Sequence, residues 1–175
     1  YDELLDHFAW PPRLTRLVLG ASFARPVDWV SWPATLQEIT FRGDGFDRGI
    51  DRVRWPKSLR ALTFGCGFNQ PVGNAVWPAS LKRLTFGRRF NQSIAGVTWR
   101  AAYFSITHLA FVGDFDQPIE KNVLWPAGLQ SLIFGDGFNQ PIAEVVWPDS
   151  LRELTLGKRF NHPIDKVIHT RCCSN

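Results

Sequence analysis

The sequence contains no methionine, only two tyrosines and only three cysteines. Cys66 stands alone and Cys172-Cys173 lie at the tail, an odd set that excludes a disulfide framework and favours a reducing compartment. No stretch of roughly 18 apolar residues is present, so no membrane-spanning helix is expected, and no basic segment leading into an apolar core opens the chain. Asn91-Gln-Ser93 is a glycosylation sequon, but Asn91 occupies the most regular polar position of the chain, where a glycan would disturb packing. These absences together predict an intracellular, cytoplasmic protein.

Catalytic patterning is missing too. His7, His108, His162 and His169 have no nucleophile or acid partner at a recognisable spacing. A zinc cluster of His162, His169, Cys172 and Cys173 matches no common ligand spacing, and tail composition accounts for it better. The expectation is a non-enzymatic chain without cofactor or metal. A net charge of +4 and a pI near 9.3 permit weak attraction to anions but are modest for a dedicated nucleic-acid binder.

What the sequence does have is a repeat. Trp10, Trp32, Trp55, Trp77, Trp99, Trp125 and Trp147 recur every 22 or 23 residues, with one gap of 26. A unit of this size cannot bury its own apolar face, so units must stack and the chain becomes quasi-one-dimensional. At about 4.8 Å per strand, seven units span roughly 34 Å.

Within a unit, Leu14-x-x-Leu17-x-Leu19 has apolar residues at alternate positions over its second half, the mark of a short strand with one face inward. All seven units repeat it. Gly20, Gly65, Gly87, Gly135 and Gly157 follow the strand, where freedom to adopt positive φ would let the chain turn. The second unit is one residue longer, which predicts a bulge before Phe46. Phe23, Phe46, Phe68, Phe90, Phe115, Phe138 and Phe160 should then align as a buried column. Beside them Asn69, Asn91, Asn139 and Asn161, with Asp47 and Asp116, offer side-chain oxygens at one turn position and predict a ladder accepting backbone N–H groups. Pro26, Pro71, Pro118, Pro141 and Pro163 mark a corner, and the Gly/Pro-rich outer segment is too short for an α-helix.

The fifth unit lacks the proline after Trp99 and carries three extra residues near Tyr103-Phe104, which predicts a surface loop. Leu5 and Phe8 sit where Ile94 and Val97 sit before Trp99, so the chain opens in mid-repeat. Repeats run over 1–169, and 170–175 is a polar tail. Neither end carries a polar cap: Tyr1, Leu4 and Val167-Ile168 still follow the apolar pattern. That predicts one segment of a longer protein, or end-to-end stacking.

Phe138-Asn-Gln-Pro-Ile142, with close variants at Phe68–Val72 and Phe160–Ile164, resembles the FNIP repeats, relatives of the leucine-rich repeats. The departures are Trp before Pro where those repeats commonly carry Leu, Phe23-Ala-Arg-Pro26, Phe46-Asp-Arg-Gly49 and the irregular fifth unit. The resemblance implies a right-handed parallel β-solenoid of leucine-rich-repeat type and a protein-interaction role, and it offers no catalytic residues. Right-handedness also follows from the bias of parallel crossovers.

Strand positions facing away from the core form the continuous surface of a solenoid. One such row reads Arg16, Glu38, Ala61, Arg83, His108, Ser131, Glu153; the next reads Val18, Thr40, Thr63, Thr85, Ala110, Ile133, Thr155. The first varies while the second stays small, which points to recognition of other proteins. The threonine row has the look of an ice-binding face, but Val18, Ala110 and Ile133 interrupt it. The tryptophan column, apolar and followed by proline, reads as core rather than as a sugar platform. Arg60, Lys82, Arg83, Arg88 and Arg89 form a basic cluster, repeated by Arg152, Lys158 and Arg159, and with His108 they are the candidate partner-binding residues. The second reading of that cluster is a polyanion site for nucleic acid or another acidic ligand, weakened by the lack of interleaved stacking aromatics.

Overall fold

The computed structural model describes residues 5, 8–97, 105–121 and 123–164. Seven strands, β1 (Arg16–Leu19), β2 (Glu38–Phe41), β3 (Ala61–Thr63), β4 (Arg83–Phe86), β5 (His108–Phe111), β6 (Ser131–Phe134) and β7 (Glu153–Thr155), form one parallel sheet in chain order. Every neighbour pairs in register, so like residues of successive units stack: Leu17 on Ile39, Ile39 on Leu62, Leu62 on Leu84, and on to Leu154. The molecule is a parallel β-solenoid, with no α-helix among the described residues.

Each coil turns at three corners. After β2 and β5 the corner is tied to the preceding coil, by Gly45 N–H to the Ala21 carbonyl and Asp114 N–H to the Arg88 carbonyl. The other described corners are closed by a bond from the N–H of one residue to the C=O three residues earlier. In the third unit these are Leu59 to Pro56, Phe68 to Gly65, and Ala75 to Val72, at 3.0, 3.4 and 3.2 Å. Proline suits the first corner because its carbonyl is the acceptor and its missing N–H is not needed. At the start of β3 the Gln37 carbonyl accepts from both Arg60 and Ala61, at 2.7 and 3.0 Å, and the same forked bond recurs at β2, β4, β5, β6 and β7. The fork turns two consecutive residues outward before the strand alternation begins, so the outer face of the sheet carries two adjacent variable positions per coil.

The core is aromatic. Phe41, Phe86, Phe111 and Phe134 end their strands, Phe64 directly follows β3, and the five stack coil on coil at 5.4 to 5.7 Å between ring centres. The column from Phe23 to Phe160 stacks beside them at 6.0 to 6.2 Å, and within each central coil the two rings lie 4.0 to 4.4 Å apart. The tryptophans make a third column. Trp55, Trp77 and Trp125 are buried, and Trp10, Trp32 and Trp147 pack against the core. Stacked indoles leave the Nε1–H of Trp10, Trp32, Trp55, Trp125 and Trp147 buried without an acceptor among the described residues. That burden is set against large apolar burial.

The glycines after the strands serve a different purpose from the one expected. Gly20, Gly65, Gly87, Gly135 and Gly157 do not have positive φ. The turn edge is itself hydrogen-bonded from coil to coil, for example Gly67 N–H to Gly43 and Arg89 N–H to Cys66, at 3.2 and 3.0 Å, and this draws successive backbones into contact. A Cβ at Gly87 would lie inside the contact surface of Gly65. Among the described residues, the positive φ of Gly96 (78°) lies at a different corner, and at this turn positive φ occurs instead in the two coils that lack glycine at this place. There Arg42 and Val112 follow the strand, and Gly43 (φ 64°) and Gly113 (φ 115°) make the turn one residue later. The extra residue of the second unit is absorbed in this turn, and β2 and β3 stay in register.

The polar ladder runs as the sequence indicates. Asp47 Oδ1 accepts the Asn69 N–H, Asn69 Oδ1 the Asn91 N–H, Asn91 Oδ1 the Asp116 N–H, Asp116 Oδ1 the Asn139 N–H and Asn139 Oδ1 the Asn161 N–H, all at 2.8 to 2.9 Å. The first four oxygens also accept from the Nε2 of Gln70, Gln92, Gln117 and Gln140. A second ladder is built from the hydroxyls of Thr35, Ser58, Ser80 and Ser150, which donate to leucine carbonyls of the preceding coil. Asn91→Ala removes one oxygen and strands two partly buried donors, so a loss of about 1–3 kcal/mol is expected in urea unfolding. Asn91→Asp, which keeps the acceptor as Asp47 and Asp116 do, should cost less than half as much.

Several expectations concern residues outside those described: the half-repeat at Tyr1 and Leu4, the insertion at Trp99–Phe104, the apolar end at Val167-Ile168 and the tail at 170–175.

Candidate interaction surface

The forked bonds and the alternation of the strands place Arg60, Lys82, Arg83, His108 and Arg152 on the outer face of the sheet, all exposed. Arg88, Arg89, Lys158 and Arg159 fall on the turn edge that follows the strands, also exposed. The basic cluster is therefore two groups on two faces. Arg60, Lys82 and Arg83 adjoin on successive coils, and His108 is in register with Arg83. Arg152 is set apart by Gln130 and Ser131.

Acidic neighbours answer four of these cations, Arg83, Arg88, Arg89 and Lys158. Arg16 and Arg83 both engage Glu38, at 3.5 and 3.6 Å, and Arg83 reaches it across the small Ala61. On the turn edge Arg88 pairs with Asp114 at 3.9 Å, Arg89 with Asp44 at 3.7 Å and Lys158 with Asp136 at 3.0 Å. The Lys158 side-chain bond, its backbone N–H and its charge hold the Asp136 carboxyl below its ordinary value. Such exposed pairs are weak and screened by salt, and they open readily to a competing anion. Arg60 and Lys82 have no ion-pair partner among the described residues.

His108, Ser131 and Glu153 stand in register on three adjacent strands, a set that could suggest acyl-transfer chemistry. The bonding does not follow that logic. The buried Ser131 hydroxyl donates to Glu153 Oε2 at 2.9 Å, while His108 Nδ1 lies 2.8 Å from Thr107 Oγ1, so His108 does not activate the serine. His162 takes the ladder place of a glutamine: its Nε2–H donates to the Asn139 carbonyl at 3.0 Å. Of the four residues considered for zinc, His169, Cys172 and Cys173 lie outside those described. Among the described residues no His, Cys, Asp and Glu side chains group to hold a metal, and no helix is long and apolar enough to cross a membrane.

A further surface lies away from the sheet, between the third corner and the tryptophan column, on the first to fourth units. It is an open groove of about 790 Å³ whose lining includes Trp29 and Val76, 76% and 66% exposed. Trp29 escapes a reading based on the repeat because it is the eighth tryptophan, off the 22-residue grid and not followed by proline. That irregularity was the available signal.

The FNIP Repeat family model matches residues 68–97, 105–137, 115–159 and 138–168, together more than half of the chain. The chain belongs to the FNIP repeat family. The matched segments include the ladder asparagines and both phenylalanine columns of the central and C-terminal coils, so the residues that define the FNIP pattern here are the ones that join coil to coil. No curated protein matches the sequence.

Proposed function

We propose that this FNIP chain is a non-enzymatic scaffold that binds another protein on its outer sheet face, with Arg60, Lys82 and Arg83 at the centre of the contact and the turn-edge Arg88 and Arg89 at its margin. The observation that supports this is the contrast along the register. Inward positions are uniform from coil to coil, while the outward row changes from Arg16 through Glu38, Ala61, Arg83 and His108 to Glu153 on a backbone that hardly varies. Variable side chains at fixed spacing let a solenoid recognise a partner without altering its fold. Membership of a repeat family agrees with this role. The unpaired Arg60 and Lys82 favour an acidic partner surface.

Affinity capture with the intact chain, compared with Arg83→Glu/Arg88→Glu/Arg89→Glu, tests the proposal. The triple reversal is expected to lower partner recovery at least about tenfold while the circular dichroism spectrum is unchanged. Partners that survive the reversal would remove the electrostatic part of the reading. Binding of a nucleic acid whose affinity falls steeply with salt would favour the polyanion alternative.

A further inference from the structure

We infer that the Trp29 groove is a self-association surface, in which two copies of this chain meet about a two-fold axis. Trp29 is the most exposed large apolar residue described and shares the groove with the exposed Val76, an apolar pair at hand for a contact centre. The charges around it are sorted. Along the outer segment the acids come first, Asp28 and Asp51 at the corner, and the bases follow, Arg52 in the repeat row of Trp29, Arg54 in that of Val76 and Lys57 after the tryptophan, so the groove runs from an acidic margin to a basic one. None of these five charged side chains makes an ion pair or a side-chain hydrogen bond among the described residues. On the sheet face the unpaired Arg60 and Lys82 are of one sign, whereas the groove carries unpaired charges of both signs.

Two unmatched margins of opposite sign flanking an apolar centre are self-complementary. A two-fold axis through the groove sets Asp28 and Asp51 of one copy against Arg54 and Lys57 of the other, twice, and covers each Trp29 with the other copy's apolar surface. A strongly acidic or basic partner would leave one margin opposed by like charge. The contact closes at two copies, unlike end-to-end stacking, which would continue. It lies away from the sheet face and does not depend on the function proposed for that face.

Sedimentation equilibrium of the full chain over a wide concentration range reads the association directly. A monomer–dimer equilibrium that stops at the dimer is expected, and Trp29→Ala should weaken it about tenfold or more. Asp51→Arg and Arg54→Glu should each weaken it too, while an equimolar mixture of the two variants should re-form a dimer, because each substitution then meets its complement. All three positions are exposed, so their spectra should match the parent's. A chain that stays monomeric at millimolar concentration would overturn the inference. So would growth beyond the dimer that these substitutions leave unchanged, or failure of the mixture to associate more tightly than either variant alone.

Discussion

Phe90→Ala is expected to destabilise the protein by about 3–5 kcal/mol, a large share of the 5–15 kcal/mol that holds a domain of ordinary size together. Phe90 is fully buried and its ring meets four others: Phe86 in its own coil at 4.2 Å, Phe68 at 6.0 Å in the coil before, and Phe111 and Phe115 at 6.0 and 6.1 Å in the coil after. Truncation removes the transfer free energy of the ring and leaves a cavity that in-register neighbours cannot collapse into without breaking the ladder hydrogen bonds beside them. Since each coil is held only by its neighbours, the loss should spread, and amide exchange should quicken in β3 and β5 as well as β4. Urea unfolding gives the magnitude. A change under 1 kcal/mol would mean that the column does not carry the stack. Phe160, only half-buried and stacked on Phe138 alone within its column, sets the contrast: Phe160→Ala should cost clearly less.

The strands, the phenylalanine and tryptophan columns and the asparagine ladder were legible in the sequence because each is a one-residue rule repeated six- or seven-fold, and an in-register parallel stack turns sequence period directly into contact. Features that depend on the distance between coils were not. The Thr35, Ser58, Ser80 and Ser150 ladder is not legible in the sequence because a lone hydroxyl before a leucine has no pattern until the preceding carbonyl is placed above it. Arg83 reads as a free cation in the sequence, yet Ala61 lets it reach Glu38 two strands away, a matter of side-chain reach rather than spacing. The basic cluster looks single because Lys82 and Arg89 are seven residues apart, but the turn after β4 puts them on different faces. Trp29 was hidden by the regularity of the other seven tryptophans.

The glycine column is visible in the sequence as a pattern, but its cause is the contact between coils rather than positive φ, and that cause predicts the sharpest contrast in the molecule. If these glycines served to reach positive φ, alanine would be harmful at every one of them. Because the constraint is the approach of the preceding coil, the effect should depend on whether a coil lies there. At Gly87 a methyl group would collide with the Gly65 backbone and come within 2.8 Å of the Phe64 carbonyl oxygen. Neither atom belongs to a flexible side chain, and both belong to a turn edge tied from coil to coil by hydrogen bonds. Gly87→Ala should therefore cost at least about 3 kcal/mol, the upper end of the overpacking range, by prying the third and fourth coils apart. Gly20 occupies the same place in the first unit, with φ outside the positive region and nothing described within 4 Å of the added carbon. Gly20→Ala should be neutral or stabilise by up to about 1 kcal/mol through the lowered entropy of the unfolded chain. Gly73, also open and free of positive φ, should behave like Gly20. Thermal and urea unfolding of the three single variants decides the matter. Equal losses at Gly20 and Gly87 would show that backbone conformation, not coil contact, selects glycine at this position.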